Sequence, residues 1–149
     1  MTESEARSRF AAARVARLAT AGADGRPHLV PVVFAVSGDL IYSTVDAKPK
    51  RTTSLRRLAN VRANPAASLL VDHYDDEDWG ALWWVRADGR GRVLDPSGET
   101  PWGTGDDLAA EAAEARRAID LLRRRYPQQE AVGAVLAVDV ERWVGWSAR

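Results

Sequence analysis

The chain has 149 residues, 46% hydrophobic and 28% charged, which is one domain with enough length for a real core; wholesale disorder, a collagen-like chain and a small disulfide scaffold are excluded. Its 21 basic and 21 acidic side chains cancel, so there is no global electrostatic case for nucleic acid or a membrane surface. Cysteine is absent, and the two histidines, His28 and His73, lie far apart in the chain; disulfides, a cysteine nucleophile and a thiolate or histidine metal site all drop out.

Residues 1–14 are charged and lack the apolar run of a secretory signal. No stretch approaches the roughly 20 apolar residues of a transmembrane helix, so the expected location is the cytoplasm. Residues 3–13 read as a short amphipathic helix with Phe10 on its inner face. Residues 14–21 alternate like a strand. Asp24-Gly25 is a hairpin signal with positive φ expected at both turn positions, and residues 27–36 form the return strand. Pro31 within it indicates an edge or a bulge. A second turn at Ser37-Gly38-Asp39 leads to a strand over 40–44, so the opening reads as a three-strand antiparallel meander.

Residues 50–63 read as a helix, with Pro49 suited to its first turn, Thr52 or Thr53 as cap, and Leu55, Leu58, Ala59 and Val61 as its apolar face; Asn64-Pro65 ends it. Strands follow over 66–74 and 79–87 around an acidic turn, and residues 91–94 continue the sheet. After a loop over 96–105, residues 106–126 carry the strongest helical stripe, Leu108, Ala112, Ala115, Ile119 and Leu122. Arg123, Arg124 and Arg125 suit the negative end of its dipole, and Pro127 stops it. A last core strand spans 132–140, followed by a tail with Trp143 and Trp146. Six or seven short antiparallel strands with flanking helices imply a mainly β fold, a small closed or split β-barrel forming a single domain over 1–149, and not a doubly wound parallel sheet.

Residues 46–62 hold six basic side chains and one acid in an otherwise neutral chain. The chain's two lysines, Lys48 and Lys50, sit there with Arg51 at the expected helix start, where backbone N–H groups and the dipole favour an anion such as phosphate. A solvated basic helix face is the plainer reading of the same residues. Residues 72–78 hold five carboxylates and His73, but without the spacing of a calcium loop; they read as a solvated turn. Trp83 and Trp84 point to opposite faces of their strand, so one can be core while the other meets a partner subunit or a flat ligand. No Gly-rich phosphate loop, G-x-S-x-G elbow, H-E-x-x-H or paired-carboxylate motif occurs. No side chain is assigned as catalytic acid, base or nucleophile; in an enzyme of this kind a cofactor carries the chemistry.

The runs ARLATAGADGRPHLVPVVF, GDLIYSTVDAKPKRTTSLRRLANVRANPAASLLVDHYDDEDW and LWWVRADGRGRVLD, with the closing ERWVGWSA, resemble the flavin/deazaflavin oxidoreductase superfamily that includes pyridoxamine 5′-phosphate oxidase. The particular match is the actinobacterial branch described as PPOX class F420-dependent enzymes. The resemblance implies a split β-barrel homodimer with a flavin-type cofactor at each subunit interface, F420 or alternatively FMN, and a small conjugated substrate. It also implies a cofactor phosphate held by Tyr42, Ser43, Thr44, Lys48, Lys50, Arg51 and Thr52. Many relatives place the phosphate-binding lysine about two helical turns nearer the Asn-Pro or Asp-Pro pair; here that position is Arg57. Lys50 is preferred because a helix start is the better anion site. A non-catalytic F420-, flavin- or haem-binding protein is the alternative from another class, with His28 and His73 as the available haem ligands.

Overall fold

The computed structural model describes residues 1–46, 52–98 and 106–149. Strand alternation sets the architecture. In β1 (Ala16–Ala21), Ala16, Leu18 and Thr20 are buried while Arg17 is exposed. In β5 (Ala66–His73), Ala67, Leu69 and Val71 are buried while Leu70 and Asp72 face out. The remaining strands are β2 (Pro27–Val32), β3 (Ala35–Ser37), β4 (Leu40–Asp46), β6 (Trp83–Leu94) and β7 (Ala131–Ser147). All seven form one antiparallel sheet in the order β2-β1-β5-β6-β7-β4-β3. Its two edge strands are consecutive in the chain, separated only by Val33 and Phe34. The sheet therefore curls round until its edges are joined covalently, which makes a split β-barrel.

Leu18, Phe34, Ile41, Leu69, Val85 and Val138 fill the barrel. Helix α1 (Glu3–Ala12), begun by a capping box between Thr2 and Glu5, closes one opening with Phe10. The Phe10 ring lies 5.0 Å from Phe34 and 5.4 Å from Trp143. Helix α2 (Thr52–Ala63) adds Leu58 and Val61 to the same core. Helix α3 (Asp106–Arg125) builds a second core on the outside of the sheet, setting Ala115, Ala118, Ile119 and Leu122 against Tyr42, Leu94, Val135 and Ala137.

Two polar devices fix α3. Arg92 of β6 donates to Glu114 of α3 through both Nη atoms at 3.1 Å and to Asp139 of β7 through Nε at 2.5 Å. The Tyr42 hydroxyl donates to Glu114 at 2.8 Å. Burial, then this carboxylate, pushes the Tyr42 phenol up to about 12, so it stays a donor. At the far end of α3, Arg125 donates to the carbonyls of Ala11 and Ala13 at the end of α1, and Tyr126 donates to the Arg14 carbonyl.

Several expectations are revised. The return strand breaks at Val33–Phe34, and β2 pairs only with β1 while β3 and β4 form a separate hairpin. No three-strand meander forms, because β4 takes β7 as its second partner. In the first turn Gly25 alone has positive φ, at 77°; Asp24 instead accepts from the Arg26 N–H at 3.0 Å, an Asx turn. The acidic turn leads into a 3₁₀ turn at Trp79–Ala81, so β6 starts at Trp83. The last core strand and the tail are one 17-residue strand. Pro31 does sit on an edge strand, and among the described residues no helix is long and apolar enough to cross a membrane.

Trp143 is only 9% exposed, its indole N–H donating to Asp39 at 3.1 Å. Trp143→Ala is expected to lower stability by about 3–5 kcal/mol, read as a reduced urea midpoint at unchanged slope.

Candidate functional site

The face of the sheet that α3 leaves uncovered carries an apolar recess. Outward-facing residues of β1, β5, β6 and β7 fall into rows across the ladder. Trp84 stands between Asp72 and Trp146, Leu70 between Arg17 and Arg86, and Ser68 between Ala19 and Asp88. Between them lies a groove of about 580 Å³ with apolar walls from Leu29, Leu70, Trp84 and Trp146. That volume falls within the range of small-molecule and cofactor sites. The Trp84–Trp146 pair is made by the register, which sets one outward position on each strand opposite the other.

The groove's polar edge is organised by Asp88. It accepts from Ser68 Oγ at 2.8 Å, from Arg86 Nε at 2.8 Å and from Arg142 Nη2 at 2.9 Å. Burial raises the Asp88 carboxyl, but the donors Arg86, Arg142 and Ser68 outweigh it and hold the group below its ordinary value. Arg86 also lies 6.0 Å from the Trp84 ring. Arg17 faces the same groove and makes no ion pair with any described residue. Leu29 is 67% exposed and Trp146 47%; such area on a sheet face invites cover by a ligand, a second protein surface or both.

The residues expected to hold a cofactor phosphate divide into three groups. Tyr42, Ser43 and Thr44 are all buried on β4: Tyr42 is engaged by Glu114 on the α3 side, and Ser43 lies on the barrel side with Ile41. Lys48, Lys50 and Arg51 lie outside the described residues. Thr52 is the first residue of α2. Arg57 is half-buried on α2, and burial lowers its pKa. Leu29, Leu70, Arg86 and Asp88 did not emerge from the sequence as site residues; outward positions in β2, β5 and β6 were the only signal, and that pattern fits an ordinary solvated strand equally well. Among the described residues no group of three or more histidine, aspartate or glutamate side chains is arranged to hold a metal ion.

Trp83 and Trp84 part as expected. Trp83 packs against the barrel core under Arg9, 5.2 Å from its ring centroid, and also borders the groove, whose outer wall is Trp84. His73 stacks near Trp83 with ring centroids 6.3 Å apart. His28, on β2, has an Nδ1 shut off from solvent with no hydrogen-bond partner.

Comparison with known proteins agrees with this architecture. The family model described as pyridoxamine 5′-phosphate oxidase matches residues 2–147; the chain belongs to the pyridoxamine 5′-phosphate oxidase family. Among solved structures, an FAD-binding protein from Mesorhizobium loti superposes with a TM-score of 0.68 at 23% identity, over 97% of this chain and 94% of that one. Rv2991 from Mycobacterium tuberculosis gives 0.66 at 22% identity, over 100% of this chain and 86% of that one. The FAD-binding protein from Mycobacterium smegmatis gives 0.60 at 19% identity, over 97% and 93%. No curated protein matches the sequence.

Burial first, then the charges of Arg56 and Arg57, holds the His28 imidazole below its ordinary value of 6.5. The unfolded chain binds this proton more readily than the folded one, so His28 costs stability as pH falls from near 6.5 through the folded-state value. Urea unfolding of the wild type is expected to lose more stability between about pH 7 and about pH 5 than His28→Gln does. Parallel losses in the two proteins would remove His28 from the balance.

Proposed function

We propose that the protein is an F420-dependent oxidoreductase that moves hydride between the deazaflavin and a small conjugated substrate, working as a homodimer in the cytoplasm. The observation that carries this reading is the tryptophan-walled apolar groove on an exposed sheet face of a pyridoxamine 5′-phosphate oxidase family member. Its walls fit a flat tricyclic ring, and its open side leaves room for a second copy of the chain. When bound, a deazaflavin ring supplies the hydride chemistry. Trp84, Trp146, Leu70 and Leu29 would hold such a ring and shield it from water. The basic stretch with Lys48, Lys50 and Arg51, together with Thr52 and Arg57, is assigned the anionic end; Ser43 and Thr44 are the hydroxyl candidates on β4.

The preference for F420 rests on charge. Six basic side chains over 46–62 suit a ligand with a phosphate and an anionic tail. FMN shares the phosphate and is the second reading, favoured by the family's own name and by similar structures named as FAD-binding. Side-by-side titration with F420 and FMN, followed by absorbance, separates the two: tighter binding of F420 is expected, and binding of FMN alone would overturn the choice. In that assay Lys50→Ala is expected to weaken binding by about 1.5–3 kcal/mol, with a smaller loss for Arg57→Ala. The reverse order would move the phosphate to Arg57.

The homodimer reading is supported by Leu29, Leu70 and Trp146 sharing one exposed face, which a two-fold axis would cover with its own copy. Light scattering is expected to give a dimer for the wild type and a folded monomer for Leu70→Asp. A monomeric wild type at micromolar concentration would count against the shared site.

A further inference from the structure

The polar groups round the groove are not equally engaged. Asp88 takes Ser68 Oγ and Arg86 Nε, each at 2.8 Å, and the Tyr74 hydroxyl donates to Asp76 at 2.9 Å. Arg17 differs from them. It stands on β1 opposite Leu70, whose cross-strand neighbour on the other side is Arg86, so two guanidinium groups flank one leucine. Arg86 is neutralised by Asp88, whereas the Arg17 side chain makes neither an ion pair nor a hydrogen bond with any described residue. Apolar surface lies on both sides of it, with Leu29 on β2 and Leu70 on β5 lining the same groove. The Trp84–Trp146 pair fills the next row, and Asp72 ends that row, also without an ion pair among the described residues. An unspent guanidinium thus borders an aromatic-walled apolar groove, with a single unspent carboxylate one row away.

We propose that the groove takes a flat conjugated molecule bearing one carboxylate, with the carboxylate on Arg17 and the conjugated body against Leu70, Trp84 and Trp146. A guanidinium meets a planar carboxylate through paired N–H donors, and indole faces suit a planar body. The apolar walls thin the water round the ion pair and strengthen it. A neutral molecule of the same shape gains the walls and leaves Arg17 unused. A second negative charge is disfavoured by Asp72 in the adjacent row, so the ligand is a mono-acid. In the oxidoreductase reading this ligand is the substrate. A double bond conjugated to a carboxylate gathers negative charge on the carboxylate oxygens as it accepts hydride from the reduced deazaflavin, a proton from water completes the reduction, and Arg17 would stabilise those oxygens. The assignment as substrate rests on that reading; binding at Arg17 does not.

Cinnamate and its neutral isostere cinnamamide form a matched pair of probes. Calorimetric titration of the full-length protein gives their affinities, and the indole N–H signals of its six tryptophans, assigned through Trp84→Phe and Trp146→Phe, give the place. Cinnamate is expected to bind about tenfold or more tighter than cinnamamide, moving the Trp84 and Trp146 signals and leaving buried Trp143 unmoved. Arg17→Gln is expected to abolish the preference while cinnamamide keeps its affinity to within about twofold. Asp72→Asn is expected to tighten cinnamate about twofold or more, because a like charge is gone. An unmoved Trp143 signal in each variant establishes that it is folded. The proposal falls if neither probe binds, if the amide binds as well as the acid, if Arg17→Gln keeps the preference, or if the signals that move belong to other tryptophans. Failure of F420 to bind would remove the oxidoreductase reading and leave the Arg17 site standing; loss of acid selectivity with F420 bound normally would do the reverse.

Discussion

At Gly89 the backbones of β6 and β7 come so close that a Cβ would overlap the carbonyl of Asp139. The register between the two strands shifts at this point, from Asp88 opposite Arg142 to Gly89 opposite Val140. A bulge adds local twist and bends its strand, and here it allows one long ladder to serve two purposes. Beyond the bulge, β7 pairs with both β6 and β4 and carries Val135 and Ala137 toward α3. Before it, β7 pairs with β6 alone and brings Trp143 inward and Trp146 outward. The curl that closes the barrel and the flat apolar face that forms the groove come from one continuous pair of strands.

The two faces of this ladder show how charge is managed. On the α3 side, Arg92 is flanked by Glu114 and Asp139, and the Tyr42 hydroxyl completes the set. On the groove side, Asp88 is flanked by Arg86 and Arg142, with Ser68 completing the set. In each case one ion is held by two of opposite sign. These groups are partly exposed, so screening limits their contribution to stability. Their firmer effect is positional: one sets α3 on the sheet, the other fixes the polar rim of the groove.

Local pattern was enough for α3 and for β5, and on α2 for Leu58 and Val61 but not for Ala59, which is exposed. The stripe Ala112, Ala115, Ile119 and Leu122 and the alternation of Ala67, Leu69 and Val71 are written in neighbouring residues. Partner choice was not legible. Nothing near Leu40 announces that β4 will pair with Val138 rather than with β2, and the break at Val33–Phe34 is hidden inside a continuous apolar run. The end of the last strand was misplaced because charged residues near Arg142 look like a boundary until the bulge accommodates them. Among the candidate site residues, Tyr42 acquires its partner from a helix 72 residues away. The groove likewise needs four strands in register before Leu70, Trp84 and Trp146 share a surface.

The Arg125 guanidinium holds the carbonyls of Ala11 and Ala13, and Arg14 in turn donates to the Arg125 carbonyl at 2.9 Å. The opening helix is thus fastened by residues more than 100 positions later in the chain. During synthesis α1 emerges before β7, so Phe10 has no barrel to plug until Trp143 has left the ribosome. Closing so long a loop is slow relative to local helix formation. The helix that is made before the barrel is secured only after it, and until then the side chain of Phe10 lacks the partners that bury it.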